Sequence, residues 1–446
     1  MEKYFELEKN NTNVFTEIFA GITTFLSMAY ILAVNPAMLS DAGMDPGAVF
    51  TATAISAGFA TILMGIWSKY PIVLASGMGL NAYFTYSVCL PLAEAGIDNP
   101  WQIALTAVFM EGIIFVILSL TKFRETLVNK VPSNIKYGIT VGVGLFIALT
   151  GMFANGTIIK NEQTAITLGD LGSPEVILSL IGFFIIVVLH HHKILGGILW
   201  GILLTWVLGI VAEKIGWYQS DLSLIPDFSN GFMPSKPYLF EFNWVYVLEN
   251  GIQFAAIVFS FLYVDLFDTV GALIGIGEKA ELMDENDELP NAGKAFMSDA
   301  LGTIMGSVLG TSTVTSYIES NVGVANGGRT GLTAVSAGVM LLLALFLSPI
   351  FLAIPGFATA PALLYVGLMM MNIVKKMDFE DDMASAVSGF FAITIMPFTY
   401  SIENGIMFSI LSYVIIKTLQ GKGRDVHYVM WISCLLFAIR IYTLVI

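Results

Sequence analysis

Long apolar windows dominate the chain, and short polar segments separate them. Because a helix needs about 20 apolar residues to cross the hydrocarbon core of a bilayer, such windows predict membrane-spanning helices. We number the predicted spans 1 to 14, at approximately 14–35, 47–67, 72–91, 102–121, 134–153, 174–190, 194–212, 248–277, 295–309, 311–325, 329–348, 358–374, 383–397 and 401–419. The sequence therefore predicts an all-α polytopic membrane protein. A last apolar stretch, 427–446, either crosses the bilayer or lies along its surface.

The composition agrees with a membrane protein and argues against a soluble domain or a nucleic-acid-binding protein. Hydrophobic residues make up 56% of the chain and charged residues 12%, whereas soluble domains carry about 25% charged residues. The net charge of −14 comes largely from acidic clusters in 278–288 and 378–382, both in predicted loops. The sequence shows no basic footprint for nucleic acid. Cys89 and Cys434 both lie in apolar segments, so no disulfide framework is predicted.

The placement of basic residues predicts the orientation of the chain. With the N-terminus in the cytoplasm and sides alternating through the predicted spans, nearly all loop Lys and Arg residues fall on the cytoplasmic side. Only Lys160, Lys214 and Lys236 fall outside. This distribution follows the positive-inside rule, so we expect an even number of spans up to residue 420.

The two halves of the chain resemble each other in order and spacing. Spans 1–7 and spans 8–14 each open with a long span, continue with a span that begins Gly-x-x-Phe, and contain a short third segment rich in Gly, Ser and Thr. A proline-containing linker, 214–244, separates the halves. Because each half has an odd number of spans, the second half must be inverted relative to the first. This pattern predicts the 7+7 inverted-repeat architecture of secondary transporters.

The third segment of each half predicts a broken span. These segments read ASGMGLNA at 75–82 and GTSTVTSYIE at 310–319, and glycines, hydroxyl side chains and β-branched residues are poor helix formers. Non-helical backbone persists at membrane depth only where protein or a cavity satisfies its polar groups. Paired interrupted segments in two repeats indicate a binding site that faces the N-termini of half-helices. Gly77, Asn81 and Thr313 are therefore candidate binding residues.

Acidic residues at membrane depth mark the same region. Asp265 and Asp268 are the only charged residues in 252–276. Asp268 and Thr269 follow Asp265 by three and four residues, which places them on one helix face. A carboxylate at this depth costs about 2.5–3.5 kcal/mol on insertion scales, so it persists where it has a partner or a function. Either aspartate is a structural carboxylate that caps a broken helix, or it belongs to a proton or ligand site.

Further polar residues extend the candidate site. Glu319, the only charge in 301–325, follows the hydroxyl-rich break and is suited to accept hydrogen bonds from a ligand. Asp299 lies early in a short span and has either a helix-end role or a functional one. Asn35 and Asn81 each make either a packing hydrogen bond or a ligand contact. Because no Lys or Arg lies in this predicted site, an anionic ligand is disfavoured.

Enzymatic and metal chemistry find little support in the sequence. The GMG at 77–79 lacks the preceding strand of a dinucleotide-binding unit. The histidines at 190–192 are a weak metal-site candidate at a predicted turn. The GIGE at 275–278 lacks the aspartate that intramembrane aspartyl proteases need at the position of Glu278. We therefore predict a protein that is not an enzyme, with no catalytic residues, no metal site and no cofactor.

The chain resembles the azaguanine-like branch of the nucleobase–cation symporter-2 family, the bacterial permeases for adenine, guanine and hypoxanthine. The resemblance covers nearly the whole chain. Its strongest pieces are GITTFLSMAYILAVNP at 21–36, GMGLNAYF at 77–84, VDLFDTVG at 264–271 and GTSTVTSYIES at 310–320. The chain departs from the family pattern at Ser76, where a proline is usual, and at Asn321, Val322 and Asn326 beside the expected site.

The resemblance implies a fold and a mechanism. Spans 1–4 and 8–11 form a core domain, spans 5–7 and 12–14 a gate domain, and short strands in spans 3 and 10 meet at mid-membrane. A homodimer in the bacterial inner membrane imports a purine base with a proton. Matched position by position, the family's functional residues fall on Asp265 with Thr269, on Asp299, on Glu319 with Ser320, and on Asn35.

These observations combine into one hypothesis, a proton-coupled purine importer in which Asp265 and Glu319 form the ligand and coupling site. The alternatives are a transporter of the same fold for another nucleobase (xanthine, urate or uracil) or an anion, and a passive channel. The predicted domain boundaries are 1–13 for a cytoplasmic N-terminus, 14–122 and 245–348 for the core domain, 133–213 and 357–420 for the gate domain, 214–244 for an external linker, and 427–446 for an apolar C-terminal helix.

Overall fold

The computed structural model describes residues 2–120, 131–161, 163–219, 223–228, 232–280, 282, 289–290 and 292–445. After a short N-terminal helix, Glu2–Phe5, the first seven spans contain the helices Val14–Met28 and Ile31–Ser40 (span 1), Pro46–Trp67 (span 2), Met78–Ala82, Tyr83–Cys89 in π-helical form and Leu90–Glu94 (span 3), Pro100–Ser119 (span 4), Ser133–Ala154 (span 5), Pro174–His191 (span 6) and Gly197–Lys214 (span 7).

The second half repeats this arrangement. Its helices are Trp244–Glu249 and Gly251–Lys279 (span 8), Ala292–Leu309 (span 9), Ser320–Ala325 (span 10), Gly331–Leu343, Ala344–Leu347 in 3-10 form and Ser348–Leu352 (span 11), Gly356–Met371 with the 3-10 turn Asn372–Lys376 (span 12), Met383–Thr399 (span 13) and Ile402–Leu419 (span 14). The 3-10 turn Gly423–Asp425 and the helix Tyr428–Val445 follow. Within the described residues, nine of these helical segments are long and apolar enough to cross a membrane alone; the broken spans 3 and 10 and the spans 8, 9 and 13 complete the fourteen.

In the described ranges four short strands accompany the helices, β1 (Leu74–Ser76), β2 (Ile158–Asn161), β3 (Ala165–Leu168) and β4 (Val314–Ser316). Strands β1 and β4 pair antiparallel, with Ala75 opposite Thr315, so the extended segments of spans 3 and 10 meet inside the protein. Strands β2 and β3 form an exposed hairpin between spans 5 and 6 that the sequence did not predict. The predicted fold class, with its broken spans 3 and 10, is confirmed.

Side chains from neighbouring helices form hydrogen bonds with backbone groups at the outer edges of the β1–β4 pair. The Thr61 hydroxyl of span 2 donates to the Leu74 carbonyl at 2.9 Å and accepts from the Leu74 amide at 2.9 Å. From span 9, the Thr303 hydroxyl donates to the Val314 carbonyl at 2.9 Å. Because buried backbone groups without partners are costly in an apolar environment, these threonines allow strands to exist at membrane depth.

The helices pack in two groups. Spans 1, 2, 4, 8, 9 and 11 contact one another, and spans 5, 6, 7, 12, 13 and 14 form the other set of contacts. Small residues bring helices together within each group, as is common in membranes. A Cβ atom at Gly65 of span 2 would lie 2.4 Å from the Gly331 carbonyl oxygen of span 11, and one at Gly138 of span 5 would lie 2.7 Å from the Gly389 Cα of span 13.

The C-terminal helix packs on the outside of this bundle. It contacts spans 8 and 14. The Tyr263 and Ser433 hydroxyls share a hydrogen bond, and the rings of Phe259 and Phe437 lie 5.1 Å apart. The helix therefore belongs to the packed structure.

A buried glutamate in span 1 forms hydrogen bonds to the start of span 11. Glu17 is fully buried, and its Oε1 accepts a hydrogen bond from the Arg329 amide at 2.9 Å. Its Oε2 accepts from the amides of Thr330 and Thr333 at 3.2 Å each and from the Thr333 hydroxyl at 2.6 Å. The Thr330 and Thr333 amides lie at the N-terminal end of the helix that begins at Gly331, and the Arg329 amide lies just before it. Glu17 thus caps a helix from a different part of the chain.

We expect the substitution Glu17→Ala to destabilise the fold, because it removes the acceptor of the Arg329 and Thr330 amides and the shortest hydrogen bond of the Thr333 hydroxyl. The thermal unfolding midpoint of the detergent-purified protein should fall by about 3 °C or more. The exposed Glu8 provides the control, and Glu8→Ala should leave the midpoint unchanged. An unchanged midpoint for Glu17→Ala would show that water replaces the carboxylate at this helix end.

Candidate functional site

A cavity of about 340 Å³ lies where the broken spans 3 and 10 and span 8 of the first helix group face span 12 of the second group. Its lining consists of Tyr30, Gly77, Met78, Gly79, Thr140, Asp268, Ala272, Ser316, Tyr317, Ile318, Glu319, Val366, Met369, Met370, Asn372, Ile373 and Lys376. Asn372 and Lys376 are exposed, so they mark the mouth. A second cavity, of about 270 Å³, lies near the surface between the linker and span 11 and is lined by no buried carboxyl group.

Breaks in regular structure create the inner wall of this cavity. Span 10 leaves the strand β4 at Ser316 and resumes as a helix at Ser320, so Glu319 stands at the helix start. Span 3 leaves β1 at Ser76 and resumes at Met78, with Gly77 between. A Cβ atom at Gly77 would lie 2.7 Å from Thr315 Cγ2 and 3.6 Å from Asp268 Oδ2. Glycine is therefore required where the two broken spans approach span 8.

Two carboxyl groups line the cavity. Glu319 is buried except for 8% of its surface, and its Oε1 accepts a hydrogen bond from the Tyr30 hydroxyl at 2.7 Å. Tyr30 lies at the interruption between the two helices of span 1. Asp268 is half-buried, and none of the described groups donates a hydrogen bond to its carboxylate. Asp268 and Glu319 are therefore the acidic groups available to a ligand.

Asp265 lies in a second layer behind the cavity wall. The Thr269 hydroxyl lies 3.1 Å from Asp265 Oδ1, 3.0 Å from Asp299 Oδ2 and 2.7 Å from the Thr315 hydroxyl. All four side chains are buried, and none of them lines the cavity. The sequence-based hypothesis assigned the ligand site to Asp265 together with Glu319; in the structure it is Asp268, not Asp265, that lines the cavity with Glu319. Asp265 instead belongs to a cluster that joins spans 8, 9 and 10.

Four other predicted site residues hold the broken spans together. Asn35 donates to the Thr53 hydroxyl at 2.7 Å and to the Thr311 hydroxyl at 2.8 Å. The Asn81 carbonyl accepts from the hydroxyls of Ser76, at 2.6 Å, and Ser312. Thus both amides make the packing hydrogen bonds that the sequence offered as one of two alternatives.

Ser320 and Thr313 likewise lie outside the cavity lining. The Ser320 hydroxyl donates to the Tyr317 carbonyl at 2.6 Å and accepts from the Val73 amide at 3.0 Å, which ties the start of span 10 to span 3. The Thr313 hydroxyl donates to Glu111 Oε2 at 2.7 Å. These two residues therefore lie behind the cavity wall and link the spans that form it.

Several functional candidates escaped the sequence analysis. Tyr30 carries no charge and sits in an apolar window, and the methionines and Lys376 of span 12 belong to a span without unusual composition. The expectation that no Lys or Arg lies in the site was wrong, because Lys376 lines the cavity at its mouth. Since the inner wall carries two carboxyl groups, the charge balance there still opposes an anion.

Comparisons with known proteins place the chain among transport proteins. The sequence model of the permease family, Xan_ur_permease, matches residues 15–408. The guanine/hypoxanthine permease PbuO of Bacillus subtilis (strain 168) is 41% identical, over 99% of this chain and 100% of the relative. The adenine permease AdeQ of Escherichia coli (strain K12) is 40% identical, over 99% of this chain and 96% of the relative. The matched proteins are permeases and not enzymes.

Solved structures with little sequence identity share the fold. The transmembrane domain of a cyanobacterium bicarbonate transporter, BicA, superposes with a TM-score of 0.67 at 15% identity, covering 89% of this chain and 97% of that chain. SLC26A9 superposes with a TM-score of 0.68 at 12% identity, covering 94% of this chain and 66% of that chain. The 7+7 architecture is thus common to proteins of widely different sequence.

The cavity geometry predicts which positions a thiol reagent reaches. Ile318 lines the cavity and is 52% exposed, whereas Val314 of β4 is fully buried. In detergent-purified protein with both native cysteines replaced by serine, N-ethylmaleimide should modify Ile318→Cys rapidly and Val314→Cys hardly at all. Mass spectrometry measures the two rates. Equal rates would contradict a water-filled cavity at this wall.

Proposed function

Since the chain belongs to this permease family, we propose that it is a secondary active transporter that imports a purine nucleobase by proton symport. The names of its relatives, permeases for guanine, hypoxanthine and adenine, support the substrate class. The observation that carries the proposal is a pair of acidic side chains, Asp268 and Glu319, that line a cavity where two broken spans meet. The proposal extends to the bacterial inner membrane, a cytoplasmic N-terminus and a homodimer, as the resemblance implies.

The cavity suits the chemistry of a flat base with polar edges. Carboxylate oxygens of Asp268 and Glu319 accept hydrogen bonds from ring N–H and exocyclic amino groups. The first amides of the span 3 helix, which begins at Met78, have no acceptor within their helix and are suited to meet a ring nitrogen or carbonyl oxygen. Met369 and Met370 of span 12 provide adaptable apolar surface for the face of the base. A site of this kind rejects analogues by leaving its own polar groups unpaired.

The buried cluster behind the cavity supports the coupling step. Thr269 has one hydroxyl hydrogen, and two carboxyl oxygens, of Asp265 and Asp299, lie within hydrogen-bond distance of its oxygen. One carboxylate accepts that hydrogen. The other carboxyl group can form a hydrogen bond with the same hydroxyl oxygen when it is protonated, because its own O–H then donates to that oxygen. We assign the transported proton to this cluster. Asp265 then acts in coupling, while Asp268, one helix turn away, contacts the base.

The two faces of the protein support alternating access. The cavity opens beside Lys376, on the face where spans 8 and 12 end and span 5 begins. On the opposite face, Tyr86 of span 3 meets Tyr400, which follows span 13, with ring centroids 5.8 Å apart. In this proposal the first helix group, with span 3 and span 10, is the core domain, the second is the gate domain, and the structure is open to one side.

Further aromatic contacts close that opposite face. The Tyr400 ring also packs against Phe146 and Phe153 of span 5, at 5.1 Å and 5.6 Å between centroids. The Tyr86 hydroxyl donates to Asp41 Oδ2 at 2.8 Å, which fixes the ring at the end of span 1. Tyr86, Phe146, Phe153 and Tyr400 thus bridge the two helix groups, and we call these four residues the aromatic seal.

Uptake by cells that lack their own purine permeases tests the transport proposal. Wild-type protein should accumulate labelled hypoxanthine, guanine or adenine, and a protonophore should abolish the accumulation. Glu319→Gln should lower uptake by about tenfold or more, because it replaces a charged acceptor by an amide. Glu8→Gln at an exposed position is the control. Accumulation that survives the protonophore would contradict proton symport. Wild-type uptake by Glu319→Gln would contradict the assignment of Glu319 to the binding site.

Cross-linking of the aromatic seal tests alternating access. In a background without the native cysteines, Tyr86→Cys and Tyr400→Cys should become linked by a short bifunctional thiol reagent, since their rings are in contact. The linked double variant should lose uptake because the cavity no longer opens to that face, and a reductively cleavable linker should restore it. Each single-cysteine variant is a control. Full uptake by fully linked protein would contradict this role of the seal.

A further inference from the structure

Glu111 is a buried acidic residue that the proposed mechanism leaves without a role. It lies in span 4, is fully buried, and is the only charged residue in 102–121. A carboxyl group at this depth is expensive to insert, so it indicates a specific use. Its Oε2 accepts a hydrogen bond from the Thr313 hydroxyl at 2.7 Å.

Thr313 connects Glu111 to the cavity through a second hydrogen bond. Thr313 precedes the strand β4, and its carbonyl oxygen accepts from the Gly77 amide at 3.0 Å. Gly77 lines the cavity beside Asp268. Spans 4, 10 and 3 are therefore linked in series, from Glu111 through Thr313 to Gly77, at the point where the β1–β4 pairing ends.

The packing of span 4 holds Glu111 at this place. A Cβ atom at the next residue, Gly112, would lie 2.7 Å from Ile304 Cγ1 and 3.2 Å from the Ile304 amide nitrogen of span 9. The absence of a side chain lets span 4 approach span 9 closely, next to the chain that continues into span 10. The carboxylate is thus supported by rigid helices on both sides.

We propose that Glu111 is a positioning residue for ligand binding, which acts through Thr313 to set the position of Gly77. The proposal rests on the proposed purine-binding cavity. The β-branched Thr313 has no regular helix or strand of its own to fix it, because it lies in the turn between Gly310 and β4. A carboxylate acceptor holds its hydroxyl more strongly than a neutral one. The backbone at Gly77 is then held where it meets the ligand.

Binding and transport of the base that the wild-type protein takes up test this inference. Thr313→Val keeps the side-chain shape and removes the hydroxyl, while Glu111→Leu removes the acceptor. Each should raise the Kd and the KM for the base by about tenfold, the loss expected for one charge-assisted hydrogen bond. The maximal rate per transporter should stay near the wild-type value. Glu111→Gln retains a neutral acceptor oxygen, so it should raise the Kd above the wild-type value but less than Glu111→Leu does.

Two further variants separate positioning from general damage. Thr51→Val removes a buried hydroxyl of span 2 whose one hydrogen bond to the described part of the chain is to the Gly47 carbonyl of its own helix, so it should leave the Kd unchanged. The double variant Glu111→Leu/Thr313→Val should be no worse than either single variant, because both remove the same contact. Additive losses, or a wild-type Kd for Thr313→Val, would overturn the inference. If the wild-type protein binds none of the three purine bases, the proposed function itself fails.

Discussion

The pairing of two three-residue strands inside the membrane-spanning bundle is the interaction on which the site depends. Extended backbone at this depth needs a partner for every amide and carbonyl group. The antiparallel pairing supplies them at the facing edges, and threonine hydroxyls from spans 2 and 9 supply others at the outer edges. Because the strands end at Ser76 and Ser316, spans 3 and 10 both continue as half-helices beside the same cavity. The position of the cavity follows from the register.

Around this pair the acidic side chains form two layers with different environments. Asp268 and Glu319 face the cavity, and Tyr30 orients one oxygen of Glu319. Asp265 and Asp299 lie behind, joined through the Thr269 hydroxyl. The first layer lines the cavity and is accessible to a ligand of its size, whereas the second layer is fully buried behind the cavity wall. This division gives a physical reason for so many carboxyl groups in an apolar region.

Much of the fold followed from the sequence, because membrane spans and broken spans depend on local composition. The apolar windows, the odd number of spans in each half and the glycine- and hydroxyl-rich breaks predicted the architecture now seen. The sequence could not decide between Asp265 and Asp268, since both lie on the same side of span 8 and only the neighbouring spans determine which one faces the cavity. Glu111 could have been found, because it is a lone charge in an apolar window, the same signal that identified Glu319.

The inverted repeat gives the two halves a similar backbone but different chemistry. All four acidic groups of the two layers, Asp265, Asp268, Asp299 and Glu319, come from the second half, whereas the first half contributes glycines, amides and Tyr30. All of these belong to one helix group together with spans 3 and 10. In the proposed mechanism, base and proton are therefore held by the same body, and one movement of that body against the span 12 surface carries both. Coupling then needs no long-range signal: a base that binds at Asp268 acts on a proton site one helix turn away.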